Sequence, residues 1–329
     1  MTYARIIGTG SYVPEKILTN DDLSRILGEN INEFVSQVLG IEERHVCAED
    51  ESTADLATAA SRKALVAAGV TAEDLDLIIL ATDTPEQLSP ATSVVVQHRL
   101  GAKNAGTFDI NCACAGFVTA LDTASKFIIS DSSYKNVLVV GAYAISKFVD
   151  WKDKKTATIF ADGAGALVLQ ANEVNPGFLA AKLHADGSFY NHMGIYAGGA
   201  HLPVTKAVLT EGYWNKVRFA KKYPSEINTE GWPKIMLEVL ARPGLDVADV
   251  KLFLFTQVNL STIKEVMAKL ELPMDRTHTI MQKWGYTGSA CIPMVLDDAI
   301  SQGKLQPGDN VVMCASGGGL NMACAAFRW

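Results

Sequence analysis

Two sections of the chain carry the same order of strand and helix signals, and this duplication limits the possible folds most. In the first section, residues 75–81 predict a buried strand, and a second strand, a sharp turn and a helix follow around Cys114. In the second section, residues 250–255 and 277–280 predict strands, and residues 289–300 predict a helix after a glycine-containing turn. This alternation predicts parallel sheets covered by helices. A repeated unit also implies a pseudo-twofold axis, near which the two turns meet.

Length and composition exclude several classes of protein. A chain of 329 residues suits two domains or one large duplicated unit, and we expect halves over residues 1–170 and 171–329. Apolar residues at 48% and charged residues at 20% predict a well-buried core. The net charge of -7 argues against nucleic acid or an anionic membrane as an obligatory partner. Six cysteines without a disulfide-like spacing, and no signal peptide or long apolar run, are typical of a cytoplasmic setting.

The break between strand and helix at Cys114 is the first candidate for chemistry. Residues 107–110 predict a short strand and residues 117–128 predict a helix, so the chain turns sharply at this cysteine. A sulfur there lies near unpaired N–H groups and the positive end of the helix dipole, which favours the reactive thiolate. A nucleophile at Cys114 and a plain pair of small buried cysteines, Cys112 and Cys114, are equally good interpretations of the spacing alone.

Two other patterns do not predict a bound cofactor or metal. Gly8 and Gly10 could begin a dinucleotide fingerprint, but the third glycine is absent and Pro14 stands where a helix would open. Cys112 and Cys114 lack the partner ligands of a zinc site. We therefore expect neither a cofactor nor a metal.

The region from residue 171 to about 245 is less regular than the rest. Residues 187–199 are rich in glycine and aromatic residues, which predicts a loop over a site. Residues 206–219 and 229–240 predict helices.

Four motifs, in order along the chain, resemble those of the β-ketoacyl-acyl carrier protein synthase III family. They are ATDTP with PATS at residues 81–85 and 90–93, DINCACAGF at 109–117, FADGAGA at 160–166 and GGGL at 317–320. The resemblance spans nearly the whole chain. It implies an α/β thiolase fold with two similar halves in five αβαβα layers, a homodimer, and a place in fatty acid, polyketide or other secondary metabolism.

The resemblance also implies a role for particular residues. It selects Cys114, rather than Cys112, as the nucleophile that takes an acyl group from a thioester of acyl carrier protein or coenzyme A. It places the N–H groups of Cys114 and Gly318 around the thioester oxygen, as an oxyanion hole. A plain tight turn before the last strand is the alternative interpretation of the three glycines that include Gly318.

Thr256 and Tyr286 stand where the family has its catalytic histidine and asparagine. The family sequence His-Gln-Ala-Asn is replaced by TQVN at residues 256–259, and Gly-Asn-Thr-Ser-Ala by GYTGSA at residues 285–290. In the family, those two side chains bind the malonyl thioester carbonyl while carbon dioxide leaves. Each hydroxyl can donate one hydrogen bond, but neither is cationic near neutral pH. The sequence therefore predicts catalytic positions at Cys114, Thr256 and Tyr286, with slow or absent decarboxylation.

The positions that bind coenzyme A in the family also differ. Phe34 stands at the place of a tryptophan, Val38 at that of an arginine, and Ser261 replaces a further arginine. Because guanidinium groups bind phosphate well, we expect weak binding of coenzyme A. Phe34, Val38 and Asn259 are the predicted substrate-binding positions.

Two kinds of function remain open. The first is an acyltransferase that condenses the acyl group with a malonyl-type carbanion, or transfers it without decarboxylation to an alcohol, an amine or an acidic carbon. The second is a weakly active subunit that pairs with an active homologue, although the intact turn at Cys114 argues against it. His201 and His278 are alternative bases, but a structural or surface role is favoured for both.

Overall fold

A computed structural model of the chain describes residues 2–212 and 215–329. Its strands are β1 (Tyr3–Tyr12), β2 (Lys16–Thr19), β3 (Glu43–Val46), β4 (Leu77–Ala81), β5 (Gly106–Ile110), β6 (Asn136–Tyr143), β7 (Gly163–Asn172), β8 (Phe178–Ala185), β9 (Met193–Gly194), β10 (Arg218–Phe219), β11 (Val250–Phe255), β12 (Asn310–Gly317) and β13 (Asn321–Arg328). Its helices are α1 (Asn20–Leu27), α2 (Asn32–Phe34), α3 (Thr53–Ala68), α4 (Thr92–Leu100), α5 (Gly116–Ser130), α6 (Lys154–Ala157), α7 (Lys206–Glu211), α8 (Ile227–Ala241), α9 (Leu260–Lys269), α10 (Met281–Trp284) and α11 (Cys291–Ser301).

Two mixed sheets form the framework of the fold. The first has the order β1-β7-β6-β4-β5, with β4 parallel to β5 and β6, and β7 antiparallel to β1 and β6. The second has the order β11-β12-β13-β8, in which only β11 and β12 are parallel. The expectation of parallel sheets is therefore correct for part of each sheet only. The tight glycine turn between β12 and β13 is one reason, because a short hairpin joins antiparallel neighbours.

Helices cover both sheets and fill the space between them. α5 and α11 lie in the middle and contact both sheets, α3 and α4 cover the outer face of the first sheet, and α8 covers the second, with α9 packed on α8. All five residues of β4 are buried, as expected for a strand with helices on both faces. The predicted five-layer α/β thiolase fold is confirmed. Among the described residues, none of the helices combines the length and the apolar character that a membrane span requires.

The strands of the first sheet come from residues 3–172 and those of the second from residues 178–328. The expected halves, 1–170 and 171–329, follow this division closely. Because α11 of the second half packs on β1 and β7 of the first, the halves share a core, and their separation into two domains stays a prediction.

Two local predictions are wrong. The helix predicted over residues 206–219 ends at Glu211, because Gly212 adopts a left-handed conformation with φ 74° and caps it. Residues 213–214 of that prediction lie outside the described residues, and Arg218–Phe219 is a short strand. The strand predicted over residues 277–280 is reduced to a single bridge between Thr277 and Phe253, because the Ile280 N–H donates to the Gln257 side-chain oxygen (2.9 Å) and not to a neighbouring strand.

Candidate active site

The turn before α5 places Cys114 at the N-terminal end of a buried helix. β5 ends at Ile110, and α5 begins at Gly116 and runs for 15 residues. Between them, Ala113 has φ 46°, a left-handed conformation that costs energy for a residue with a side chain. Cys114 is 2% exposed. The predicted change from strand to helix at Cys114 is confirmed, and the backbone strain beside it is typical of functional turns.

The glycine turn between β12 and β13 packs directly against this first turn. A Cβ atom at Gly317 would lie 2.6 Å from the Cys114 nitrogen, so this close approach requires glycine. The next residue, Gly318, lines the cavity beside Cys114. Gly318 is therefore placed where its N–H can face the same space as the Cys114 sulfur, although the oxyanion hole itself stays a prediction.

Tyr286 brings the second turn of the duplicated unit to the first. Its hydroxyl interacts with the Cys114 thiol, and this interaction lowers the pKa of the thiol. The phenol is 4% exposed, and its ring stacks on Phe160 with the centroids 5.9 Å apart. Phe160 in turn stacks on Phe219 at 6.4 Å. Tyr286 is thus held by aromatic packing and occupies the wall of the site.

The environment of Cys114 raises the pKa of its thiol. Burial is the main cause, the negative charge of Asp83 raises the pKa further, and the hydrogen bond from Tyr286 lowers it. Burial therefore outweighs the expected lowering of this pKa by the helix N-terminus. Because the resting group is a thiol, Cys114 must lose a proton when it attacks a substrate.

The cavity beside Cys114 has a volume of about 200 Å³. Met193 lines it, so residues 187–199 lie over a site as predicted, although this segment contains the short strand β9. The other wall residues are largely aromatic or apolar, with a few polar groups, as in many small-molecule sites. They include Phe160, Phe219, Tyr223, Asn228 and Val258.

Thr256 lies behind the wall of this cavity. It is 1% exposed, and its hydroxyl accepts a hydrogen bond from the Ser316 N–H (3.0 Å). The Ser316 hydroxyl then donates to the Asn228 side-chain oxygen (2.8 Å), and both of these residues line the cavity. The structure thus gives Thr256 a bracing contact, and its predicted catalytic role remains a prediction.

The predicted substrate-binding positions do not line the Cys114 cavity. Phe34, at the end of α2, is 52% exposed, and Val38, in the π-helical turn that follows, is 36% exposed. Asn259 caps α9, where its side chain accepts from the Ser261 N–H (2.9 Å). The structure therefore brings Cys114, Tyr286 and Gly318 together, whereas Phe34, Val38 and Asn259 lie elsewhere.

Neither alternative histidine contacts the site. His201 is exposed. The imidazole of His278 bonds to the Asp298 carboxylate (2.7 Å) and to the Lys304 ammonium (2.8 Å). The interpretation of both as surface or structural residues is confirmed.

Sequence reasoning missed Asp83 as a member of the site. Asp83 follows β4, and its charge acts on both Cys114 and Tyr143. A signal was present, because the side chains at the carboxyl ends of neighbouring parallel strands gather at one edge of a sheet. Asp83 lies within the ATDTP motif, which by itself predicts no role for this carboxylate.

Comparisons with known proteins agree with this geometry. Residues 108–187 match the family model of 3-oxoacyl-(acyl-carrier-protein) synthase III, and residues 240–329 match the model of its C-terminal domain. A β-ketoacyl-(acyl-carrier-protein) synthase III of Xanthomonas campestris pv. campestris is 42% identical over 99% of this chain and 98% of its own length.

Solved structures give the same result. The 3-oxoacyl-(acyl-carrier-protein) synthase III of Aquifex aeolicus superposes with a TM-score of 0.88 and is 36% identical, covering 99% of this chain and 100% of the other. A priming β-ketosynthase of a polyketide biosynthetic pathway superposes with a TM-score of 0.87 at 27% identity, covering 99% and 96%. The chain therefore belongs to the 3-oxoacyl-(acyl-carrier-protein) synthase III family of condensing acyltransferases.

Proposed function

We propose that Cys114 takes an acyl group from a thioester donor and passes it to an acceptor in a condensation. The observation that carries this proposal is the position of Cys114, at the start of α5 and on the wall of a cavity that it shares with Gly318. The N–H groups of Cys114 and Gly318 are the proposed oxyanion hole, worth roughly 3 kcal/mol for each donor. The pathway is either fatty acid or polyketide synthesis in the cytoplasm.

Formation of an acyl-enzyme tests this proposal. We expect intact-protein mass spectrometry to show one acyl adduct after incubation with a panel of acyl thioesters. Cys114→Ala should abolish the adduct, whereas the matched control Cys112→Ala should keep it. An adduct on another cysteine, or none with any donor, would contradict the proposal. An adduct that forms only after addition of an active homologue would instead favour the weak-subunit alternative.

We infer that acyl carrier protein, rather than free coenzyme A, is the better donor. The exposed residues Phe34 and Val38 offer apolar surface but no cation for the coenzyme phosphates. Calorimetric titration should give a dissociation constant weaker than micromolar, a binding free energy less favourable than about -8 kcal/mol. Phe34→Trp with Val38→Arg should tighten binding, and micromolar binding by the unmodified protein would refute the inference.

We also infer that this chain decarboxylates malonyl thioesters slowly. The Thr256 hydroxyl is engaged with the Ser316 N–H, and the ring of Tyr286 fills space beside Cys114. Preorganised donors of the kind the family uses contribute about 10²–10³ in rate each. Release of carbon dioxide from malonyl carrier protein should therefore be slow while acylation proceeds, and Thr256→His with Tyr286→Asn should raise it. Fast release of carbon dioxide by the unmodified protein would refute this inference. It would also remove the support for acyl transfer without decarboxylation to an alcohol, an amine or an acidic carbon.

We propose further that two copies of the chain form a homodimer. β5 is an edge strand of the first sheet, with one side unpaired within the described residues. An open edge can pair with a second copy. Light scattering should give twice the 35.4 kDa of one chain. A monomer at micromolar concentration would argue against the dimer.

A further inference from the structure

Asp83 lies at the meeting point of three neighbouring strands. β4 runs between β5 and β6, so its carboxyl end lies beside the ends that lead to Cys114 and to Tyr143. The Thr82 N–H donates to the carbonyl of the last residue of β5 (3.1 Å). The Thr84 hydroxyl accepts from the N–H of the residue just after β6 (3.0 Å). The backbone on both sides of Asp83 is therefore held beside the first turn.

The carboxylate of Asp83 is short of partners. Asp83 is partly accessible as a residue, but its Oδ1 is buried and has no hydrogen-bond partner among the described residues. Asp83 lines a second cavity, of about 240 Å³, with Tyr143, Tyr190 and Asn111. Within the described residues, no lysine, arginine or histidine lines it. A buried carboxylate without a counter-charge is costly, so a functional explanation is needed.

This second cavity adjoins the one beside Cys114. Gly318 and Met193 line both. The titratable groups around Asp83 are the Cys114 thiol from the first turn, the Tyr143 phenol from β6 and the Tyr190 phenol from the loop over the site. The charge of Asp83 raises the pKa values of the Cys114 thiol and the Tyr143 phenol. Because like charges so close disfavour one another, a thiolate at Cys114 favours a protonated Asp83.

The ionisation of Asp83 suits a proton acceptor. Burial raises the pKa of its carboxyl to about 6. A base of this strength is largely ionised at neutral pH and still accepts a proton from a reacting group. The Tyr286 phenol is unsuitable, because burial and Cys114 raise its pKa well above the usual value.

We propose that Asp83 accepts the thiol proton of Cys114 as the sulfur attacks the donor thioester. This inference rests on the proposed acyl transfer. The bond from the Cys114 sulfur to the acyl carbon forms, and the bond from that carbon to the donor sulfur breaks. The proton then passes from Asp83 to the departing thiolate. The enzyme gains an acyl group, the donor leaves as a thiol, and Asp83 is again a carboxylate.

The rate of acyl-adduct formation, measured by quenched mass spectrometry across pH, tests this role. In the unmodified protein, the rate should rise through an apparent pKa near 6. Asp83→Asn should lower the rate by about 100-fold or more and remove this rise, and Asp83→Glu should restore part of both. Asp162→Asn is the matched control, because both oxygens of this buried carboxylate accept backbone N–H groups, from Cys47 (2.7 Å) and Ser146 (2.8 Å). The Asp162→Asn variant should keep the rise of the acylation rate with pH.

Each outcome decides the question. An unchanged rate and profile in Asp83→Asn overturns the assignment and leaves the acyl transfer intact. A slow variant that retains the rise means that Asp83 only positions other groups, which also overturns the assignment. If Asp83→Asn does not fold, an acylation profile of the unmodified protein without a rise near pH 6 is sufficient to refute it. Absence of any adduct overturns both this inference and the proposed function.

Discussion

Replacing Asp83 with asparagine should stabilise the protein at neutral pH while it damages activity. The perturbation removes a buried charge whose Oδ1 has no hydrogen-bond partner in the described part of the chain. Functional sites often contain groups of this kind, whose burial costs stability that activity requires. A gain in stability together with a loss of acylation would therefore mark Asp83 as a functional residue and distinguish it from a structural one.

The size of the effect follows from the pKa of Asp83. Burial raises this pKa from 3.8 to about 6, a shift of about 2.2 units. At about 1.4 kcal/mol for each unit, the ionised form costs the folded state about 3 kcal/mol. Because the folded-state pKa lies above the unfolded one, the cost is absent below the unfolded pKa and grows as pH rises through the folded pKa. About half of it is present near pH 5 and nearly all of it near pH 8.

Urea denaturation of the unmodified protein and Asp83→Asn, at about pH 5 and about pH 8, measures this difference. The free energy of unfolding of Asp83→Asn, relative to that of the unmodified protein, should increase by more than about 1 kcal/mol from pH 5 to pH 8. The cost of burying the neutral amide does not change with pH. Asp109→Asn is the control, because its carboxylate accepts the N–H groups of Thr92 (2.7 Å) and Ser93 (2.8 Å) and its loss should destabilise the fold. An advantage of Asp83→Asn that is the same at both pH values would refute the reasoning.

Three further predictions concern Cys114 and its neighbours. At neutral pH, iodoacetamide should label Cys114 no faster than the half-buried Cys112, because burial raises the pKa of the Cys114 thiol; peptide mapping that finds Cys114 labelled first would contradict this. Tyr286→Phe removes the hydrogen bond that lowers this pKa, so acylation should slow by about tenfold or more in quenched kinetics, and an unchanged rate would exclude the role. Gly317→Ala should prevent the acyl adduct, since its Cβ would lie 2.6 Å from the Cys114 nitrogen, whereas Gly187→Ala, with no atom within 4 Å of its Cβ, should not.

The substitutions at the site are the basis for the proposal that acyl transfer is retained while decarboxylation is slow. Tyr286 lines the cavity wall and lowers the pKa of the Cys114 thiol. The Thr256 hydroxyl braces the strand that leads to Gly318. The residues proposed to form the thioester therefore lie together, and the side chains at the two positions where the family has histidine and asparagine contact Ser316 and Cys114.

Much of the fold was predictable because its signals are local. The apolar run that forms β4, the helix-like spacing after Cys114 and the glycines between β12 and β13 each describe a few consecutive residues, and their order defines the duplicated unit. The nucleophile turn is also a local signal, because small residues around a cysteine permit the sharp change from strand to helix. The early end of the helix at Gly212 was missed, since apolar spacing continues past a residue whose backbone stops the helix.

The sequence by itself determined the order of strands and helices, the turn at Cys114 and the family motifs. Only the tertiary structure decided the chemistry around that cysteine. The dipole of α5 is a local effect and favours a thiolate, whereas burial and the charge of Asp83 depend on distant segments and raise the pKa of the Cys114 thiol. The contacts of Tyr286 with the Cys114 thiol and of Thr256 with Ser316 also depend on distant segments. Desolvation and charge coupling depend on which segments pack together, and a linear pattern of residues does not contain that information.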